Sequence, residues 1–281
     1  MRRTVLLVAV ALVPLVAGVA LAGTGTGGER AKNVRALQGV NFVSACGFSH
    51  RAPDDPIVSF GKPGASHDHS FVGNRSTNAS STYRSLHAAG TTCRRAGDTA
   101  AYWVPTLLRD GRALEPLGAT VYYRRRTLEP VQAFPANFRM IAGDAKATTA
   151  QARRVTFWNC GVASGIPASS VPPSCPAGRA TMLRLHVTFP SCWDGRRLDS
   201  PDHQSHVAYP MRGRCPRTHP VALPALTVIT RYRDLGGAGL ALSSTGVYSA
   251  HADFFNAWHQ DELERLVASC LNALRHCGRD D

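Results

Sequence analysis

The sequence predicts a mainly β fold: a sandwich or jelly-roll-like single domain with long loops and an amphipathic helix at its C-terminal end. Three observations lead there: strict two-residue alternation in one segment, short strand-like segments punctuated by turn residues, and helical periodicity confined to the last part of the chain. Over residues 181–189, Leu183, Leu185, Val187 and Phe189 alternate with Met182, Arg184, His186 and Thr188, the signature of a strand with one face in water. His186 lies on that wet face and is read as a surface residue. Further strands are expected at 100–108, 119–124, 154–158, 207–210 and 226–232, with turn chemistry at Arg109-Asp110-Gly111, Pro172-Pro173 and Trp193-Asp194-Gly195. Short strands at this spacing suit two packed sheets. From Asp261 onward, Leu263, Leu266, Val267, Cys270, Leu271 and Leu274 share one helical stripe. Asp261, Glu262 and Glu264 stand in its first turn and Arg275 and His276 in its last, where the helix dipole favours each sign.

At the other end, Arg2 and Arg3 precede an apolar run over 5–21 that closes on Ala20-Leu21-Ala22, the charged, apolar, small-residue order of a signal peptide. Residues 1–22 are therefore expected to direct export, with cleavage after Ala22. An uncleaved anchor is the alternative, at the short limit for a bilayer and interrupted by Pro14 and Gly18. Residues 23–37 read as a flexible linker with nothing to bury, and 38–277 as one disulfide-stabilised domain working outside the cytoplasm. All eight cysteines lie beyond the signal segment, an even count that in an exported chain points to disulfides. No C-x-x-C occurs, which argues against a four-cysteine zinc site, and the pairing stays open.

Charge narrows the partners. Lys and Arg number 32 against 19 Asp and Glu, a net charge of +13. In an exported protein such a surface meets an anionic polysaccharide, a wall polymer or lipid headgroups rather than nucleic acid, and no protein partner is expected. Arg124-Arg125-Arg126 reads as a solvated loop, with an acidic-glycan contact as the sharper alternative. There is no phosphate-binding G-x-x-x-x-G-K loop, no H-E-x-x-H, no calcium loop and no G-x-S-x-G elbow, and Gly236-Gly237-Ala238-Gly239 lacks the dinucleotide spacing. Cleavage after Ala22 leaves Gly23 first, so an amino-terminal copper clamp built on histidine is excluded as well.

The chain does offer histidine in company. His67-Asp68-His69 places two imidazoles on one face of a strand, which suits a metal or a proton-transfer site. Asp202-His203-Gln204-Ser205-His206 and His251-Ala252-Asp253 are two further clusters. His67, His69, His206, His251 and Asp253 are expected to line one concave pocket.

Long blocks around these clusters resemble a known family. They are Ser66-His67-Asp68-His69-Ser70-Phe71-Val72-Gly73, Ala101-Tyr102-Trp103-Val104-Pro105, 133–140, Phe189-Pro190-Ser191-Cys192-Trp193-Asp194-Gly195, 198–210, Cys215-Pro216-Arg217-Thr218-His219-Pro220 and 251–258. Together they look like the secreted fungal and actinobacterial domain-of-unknown-function family number nineteen ninety-six, over roughly residues 38–272. The resemblance implies an extracellular domain and carries no activity with it. Ala257 stands where the family pattern has glycine.

Two functions are then weighed on the residues. One is a hydrolase or lyase acting on an extracellular or cell-wall polysaccharide. There His206 and Tyr209 exchange protons, with Asp202, His203 and Asp253 as further catalytic candidates. Trp103, Trp193 and Trp258 stack on sugar rings, and Arg139 holds substrate. The other is a non-catalytic wall- or metal-binding module in which His67, His69 and His251 hold a divalent metal such as zinc. Trp158, beside Cys160, reads as core, His219 as a turn residue bonded to backbone, and His50, His87 and His276 as surface residues. Asn74-Arg75-Ser76 and Asn78-Ala79-Ser80 fit the glycosylation acceptor pattern.

Overall fold

A computed structural model describes residues 28–161, 164–178 and 181–278. The expected signal segment, 1–22, lies outside the described residues. In chain order the strands are β1 (Asn41–Cys46), β2 (Phe48–Ala52), β3 (His69–Gly73), β4 (Ala101–Pro105), β5 (Leu107–Arg109), β6 (Arg112–Leu114), β7 (Gly118–Arg124), β8 (Arg139–Gly143), β9 (Thr156–Asn159), β10 (Leu183–Thr188), β11 (Cys192–Trp193), β12 (Val207–Ala208), β13 (Val221–Ala222), β14 (Ala225–Tyr232), β15 (Leu240–Leu242) and β16 (His251–Phe255). The helices are α1 (Tyr83–His87) and α2 (Gln260–Leu266). The fold is mainly β, as expected. One antiparallel sheet runs β1-β7-β14-β10-β9, a second runs β2-β3-β4-β16-β8, and two three-stranded sheets, β12-β11-β13 and β15-β5-β6, flank them.

Alternation in the sequence explains how the two large sheets meet. Phe42, Val121, Tyr123, Leu185, Val187, Leu226 and Val228 point inward from the first sheet, and Val72, Tyr102, Met140, Ala142 and Phe254 from the second, all within one apolar core. Hydroxyls of Tyr102 and Tyr123 meet across that core at 2.6 Å, and the Trp258 indole N–H donates to the Tyr123 hydroxyl at 2.8 Å. Beneath them Asp98, fully buried, accepts from the Tyr102 hydroxyl at 2.9 Å. The hydroxyls give these large rings somewhere to place their polar ends.

Predicted and observed elements differ instructively. The expected 100–108 strand divides at Thr106 into β4 and β5, and the C-terminal helix passes from α2 into a π-helical segment, Val267–Asn272, that ends before Arg275 and His276. The part of the expected linker that is described is docked, not loose: Ala31 and Leu37 are buried, and the Asn33 side chain accepts from the backbone N–H groups of Arg35 and Ala36. The arginine triplet is solvated only in part: Arg124 ends β7 and Arg126 is exposed, but the residue between them is not in water. Arg125 is buried and donates to the carbonyls of Thr127, Leu128 and Leu271, which replaces its hydration with backbone oxygens.

All eight cysteines are paired, as Cys46–Cys93, Cys160–Cys175, Cys192–Cys215 and Cys270–Cys277. Trp158 packs in the core beside the second bridge, as expected. Among the described residues no helix is long and apolar enough to cross a membrane.

Candidate metal centre

Strand parity and register assemble this site on the outward face of the second sheet. His69 and Phe71 on β3, Trp103 and Pro105 on β4, and His251, Asp253 and Phe255 on β16 all point away from the sandwich core, because their neighbours Tyr102, Val72 and Phe254 point into it. His69 pairs with Pro105 and Asp253 with Trp103. Two residues back along antiparallel β16, His251 therefore falls in the row of His69, with only a proline ring between them. On the other side His251 pairs with Gly143 of β8. A Cβ at Gly143, whose φ is +89°, would stand 2.4 Å from the Ala250 carbonyl, so only glycine lets β8 run this close to the histidine strand. Residues 53–68 then fold over the face, seating Ile57 against Phe71, Trp103 and Phe255 and bringing Asp55 and His67 to the row.

Two of the three imidazoles have a fixed tautomer. His251 Nδ1 lies 2.8 Å from the Ser249 carbonyl, and His69 Nδ1 lies 2.9 Å from the Asp54 carbonyl. A carbonyl only accepts, so each Nδ1 carries the proton and each Nε2 presents a lone pair. His67 Nε2 sits 3.2 Å from His251 Nε2, with ring centroids 4.2 Å apart for His67 and His69 and 5.8 Å for His69 and His251. Ligand atoms of His67, His69 and His251 lie within 4.8 Å of one another, and the same holds for Asp55, His69 and Asp253.

Some of these atoms lack any partner among the described residues. His69 Nε2 and both carboxylate oxygens of Asp253 are buried without a hydrogen bond, and Asp253 Oδ2 stands 4.0 Å from His251 Nε2. Burying polar atoms this way costs stability unless something compensates. Burial holds the His251 imidazole down to about 4 and keeps His69 well below the usual range, neighbouring imidazoles adding to the effect; it lowers His67 too, against the pull of Asp68. All three are neutral near pH 7, the form that binds a metal. Burial, with Asp55 nearby, pushes the Asp253 carboxyl well up.

The cluster opens on a cleft of about 510 Å³ lined by Asp55, His67, Asp144, Lys146, Asp202, His203, His251 and Asp253, among others. His203 donates from Nδ1 to Asp199 at 2.8 Å, which raises its pKa. Asp202 accepts from the N–H groups of Ser205 and Gln204 and from the Ser200 hydroxyl, and these donors hold its carboxyl well below the usual range. Both were expected as catalytic candidates, and both stand on the cleft wall.

Other expected site residues are elsewhere. His206 does not line the cleft: it is buried, with Nδ1 2.8 Å from the Ser200 hydroxyl and Nε2 2.8 Å from the Arg139 carbonyl, so both ring nitrogens are engaged in holding a loop. Tyr209 donates to the Thr188 carbonyl at 2.7 Å, and burial raises its pKa. Trp103 and Trp258 were expected to stack on sugars, yet both are fully buried. Trp193 is half-buried, its N–H donating to the Arg197 carbonyl and its ring edge-on to Phe138. Arg139 lies over the Phe255 ring and donates to Asn137.

Of the histidines read as surface residues, His50 bonds to Ser49 and the Thr77 carbonyl, His87 to the Ala257 carbonyl, and His276 to Asn41, so backbone and side-chain partners hold all three. His186 is half-buried and stacked on Phe157. His219 bonds to the Ser205 carbonyl, as a turn residue should. Ala257 fits its turn without a positive φ, so the glycine of the family pattern is not required there. Asp55 was missed, although Asp54-Asp55-Pro56 is the kind of acidic turn that signals a site.

Comparison with curated proteins and with solved structures found no match. A family model does match, the domain of unknown function DUF1996, over residues 55–258. That span holds every member of the cluster, from Asp55 through His67 and His69 to His251 and Asp253. By a match across well over half of its length, the chain belongs to the DUF1996 family.

Proposed function

We propose that this is an exported, metal-dependent hydrolase acting on an extracellular polysaccharide, with a divalent ion of zinc type held by His67, His69 and His251. One observation carries the proposal: among the described residues the buried Nε2 of His69 has no partner, and it points into the same space as the Nε2 lone pair of His251 and the ring of His67. Two facing imidazole nitrogens at 3.2 Å repel unless a proton or a cation lies between them. The carbonyls of Ser249 and Asp54 already fix two rings in the tautomer a ligand needs. Three histidines would hold a zinc-type ion with a position left for water, and the chemistry such an ion would supply there is acidification of that water. Hydrolysis would break the glycosidic C–O bond, one sugar taking the hydroxyl of water and the other its proton, and Asp202 and His203, which line the same cleft, would orient the polymer. The basic composition and the four disulfides support an extracellular setting and an anionic or wall-associated polymer.

A second reading rests on Asp253. Its carboxylate stands 4.0 Å from His251 Nε2 and joins Asp55 in a second candidate triad around His69, and a carboxylate drawn onto the ion would close it, which supports a binding or structural module instead of catalysis. The test is elemental analysis of purified protein together with a reducing-end assay over a panel of wall polysaccharides, before and after chelation. One zinc-type ion per chain, lost in His69→Ala, with chelator-sensitive release of reducing ends, is expected. A stoichiometric ion without turnover favours the closed centre, and absence of any bound ion after metal loading overturns both.

A further inference from the structure

The histidine cluster holds a second set of donors that the three imidazoles alone do not use. Asp55, His69 and Asp253 come from three places in the chain, the turn after β2, the start of β3 and the middle of β16, and their ligand atoms lie within 4.8 Å of one another. All three residues are buried, at 3%, 0% and 1% exposure. Among the described residues, both carboxylate oxygens of Asp253 and the Nε2 of His69 make no hydrogen bond, so three polar atoms of this set are unsatisfied. The turn aims the other donor. Asp55 Oδ1 accepts from the backbone N–H groups of Ile57 and Val58 at 2.8 and 2.9 Å, and the carbonyl of its neighbour Asp54 accepts from His69 Nδ1 at 2.9 Å. One short segment thus orients two of the three ligands, as outer partners do around a metal. Buried charges are normally paired or bound to a metal, and a cation is what answers two carboxylates and an imidazole lone pair together.

We infer that Asp55, His69 and Asp253 form a second seat for a divalent cation, one of manganese type, and that its filling excludes the three-histidine seat. Ligand chemistry selects the ion. Two carboxylates and one imidazole are a harder set than three imidazoles, and carboxylate oxygens suit manganese where imidazoles suit zinc. Charge agrees, since two carboxylates neutralise a divalent ion in a buried site, whereas three neutral imidazoles leave its charge whole. Exclusion follows from His69, which both sets share. With Nδ1 committed to the Asp54 carbonyl, this ring has a single lone pair, on Nε2, and one lone pair binds one ion at a time. An ion drawn to the carboxylates therefore leaves the other seat with His67 and His251. Both seats are reached from the same cleft, whose wall includes Asp55, His67, His251 and Asp253. The exclusion rests on the proposed three-histidine ion, whereas the carboxylate seat stands on its own donors.

Metal competition on the intact, disulfide-bonded chain tests this. Protein stripped with chelator is titrated with Mn²⁺ and Zn²⁺, separately and together. Free Mn²⁺ is read by its electron paramagnetic resonance signal, and bound Zn²⁺ by elemental analysis after desalting. The wild type should take up a single Mn²⁺ per chain, release it as an equivalent of Zn²⁺ is added, and never hold both ions at once. Asp55→Asn, which keeps an acceptor for the Ile57 and Val58 N–H groups, should weaken Mn²⁺ binding about tenfold or more and leave Zn²⁺ binding unchanged, and His67→Ala should do the reverse. The wild-type competition gives its answer even if a variant fails to fold. The inference is overturned if the wild type retains no Mn²⁺, if it holds Mn²⁺ and Zn²⁺ together, or if folded Asp55→Asn binds Mn²⁺ as tightly as the parent or loses both ions alike. Retained Mn²⁺ in a wild type that takes no Zn²⁺ would support the carboxylate seat and overturn both the exclusion and the zinc reading of the three histidines.

Discussion

Replacing Asp98 by asparagine should remove a pH dependence of stability that the core builds in. Asp98 is fully buried beneath Tyr102 and Tyr123, and burial raises its carboxyl from 3.8 to about 7, with Glu262 pushing the same way and Ser44, Tyr102 and the Ala100 N–H pulling against it. Below about pH 4 the group is protonated in both folded and unfolded chains and its titration contributes nothing. Between about 4 and 7 the unfolded chain releases a proton that the folded chain keeps, so stability falls as pH rises and levels off above about 7. A shift of about three pKa units corresponds to roughly 4 kcal/mol. In a chain of this size that is a fall of about 8–16 °C in melting temperature. Asparagine keeps an acceptor for the Tyr102 hydroxyl and does not titrate. Melting curves or denaturant midpoints for wild type and Asp98→Asn, taken from pH 4 to pH 8, should therefore converge or cross toward alkaline pH, with the wild type losing about 4 kcal/mol relative to the variant. Parallel curves, separated by a constant amount across the window, would refute the reasoning and mean that the buried carboxyl is already ionised at pH 4.

Two further outcomes follow from side chains the sequence could not place. His206→Ala should lower stability by roughly 2–3 kcal/mol, because it strands the Ser200 hydroxyl and the Arg139 carbonyl and opens a cavity, and should leave metal content unchanged; denaturant unfolding paired with elemental analysis measures both, and an unaltered midpoint with lost turnover would restore a catalytic role to this imidazole. In a host that glycosylates such sites, glycopeptide mapping should find sugar on exposed Asn78 and none on Asn74, whose buried amide donates to the Leu86 carbonyl at 2.8 Å and the Thr99 carbonyl at 2.6 Å; an occupied Asn74 would contradict that packing.

Legibility of the site divides along the range of the information. That His251 and Asp253 share one face was readable from their spacing, because strand parity is local, whereas His67, expected on one strand face with His69, precedes β3 and reaches the site from the covering segment 53–68. That these residues meet depends on a register between β3, β4 and β16, three strands far apart in sequence, and no short window contains it. His206 shows the limit of residue type as a guide. It sits in a block as polar as the others, yet the loop turns it inward against Phe138 and the Arg139 carbonyl. The tryptophans carried a warning that went unused: Trp103 stands in the run Ala-Ala-Tyr-Trp-Val-Pro, apolar on both faces, which is how a strand covered on both sides reads. For the fold, the period-two segment over 181–189 sufficed to place β10, whereas the docking of residues 28–37 rests on contacts with Leu128 and Asn272 that composition alone does not contain.

The disulfide pattern has a consequence for how such a chain matures. Cys46 joins Cys93, Cys160 joins Cys175, Cys192 joins Cys215 and Cys270 joins Cys277, so the cysteines pair consecutively, first with second, third with fourth and so on, and no bridge encloses or interleaves with another. When a polypeptide is threaded out amino terminus first into an oxidising space, the thiol that follows each odd-numbered cysteine is its native partner. Oxidation in order of emergence then arrives at the final set without passing through mixed pairings, and an isomerase to reshuffle them is dispensable. The bridges also divide the chain into short closed loops without tying its first third to its last. Long-range order is thus left to strand pairing and to the histidine row, where His67 and His251 meet across 184 positions of sequence.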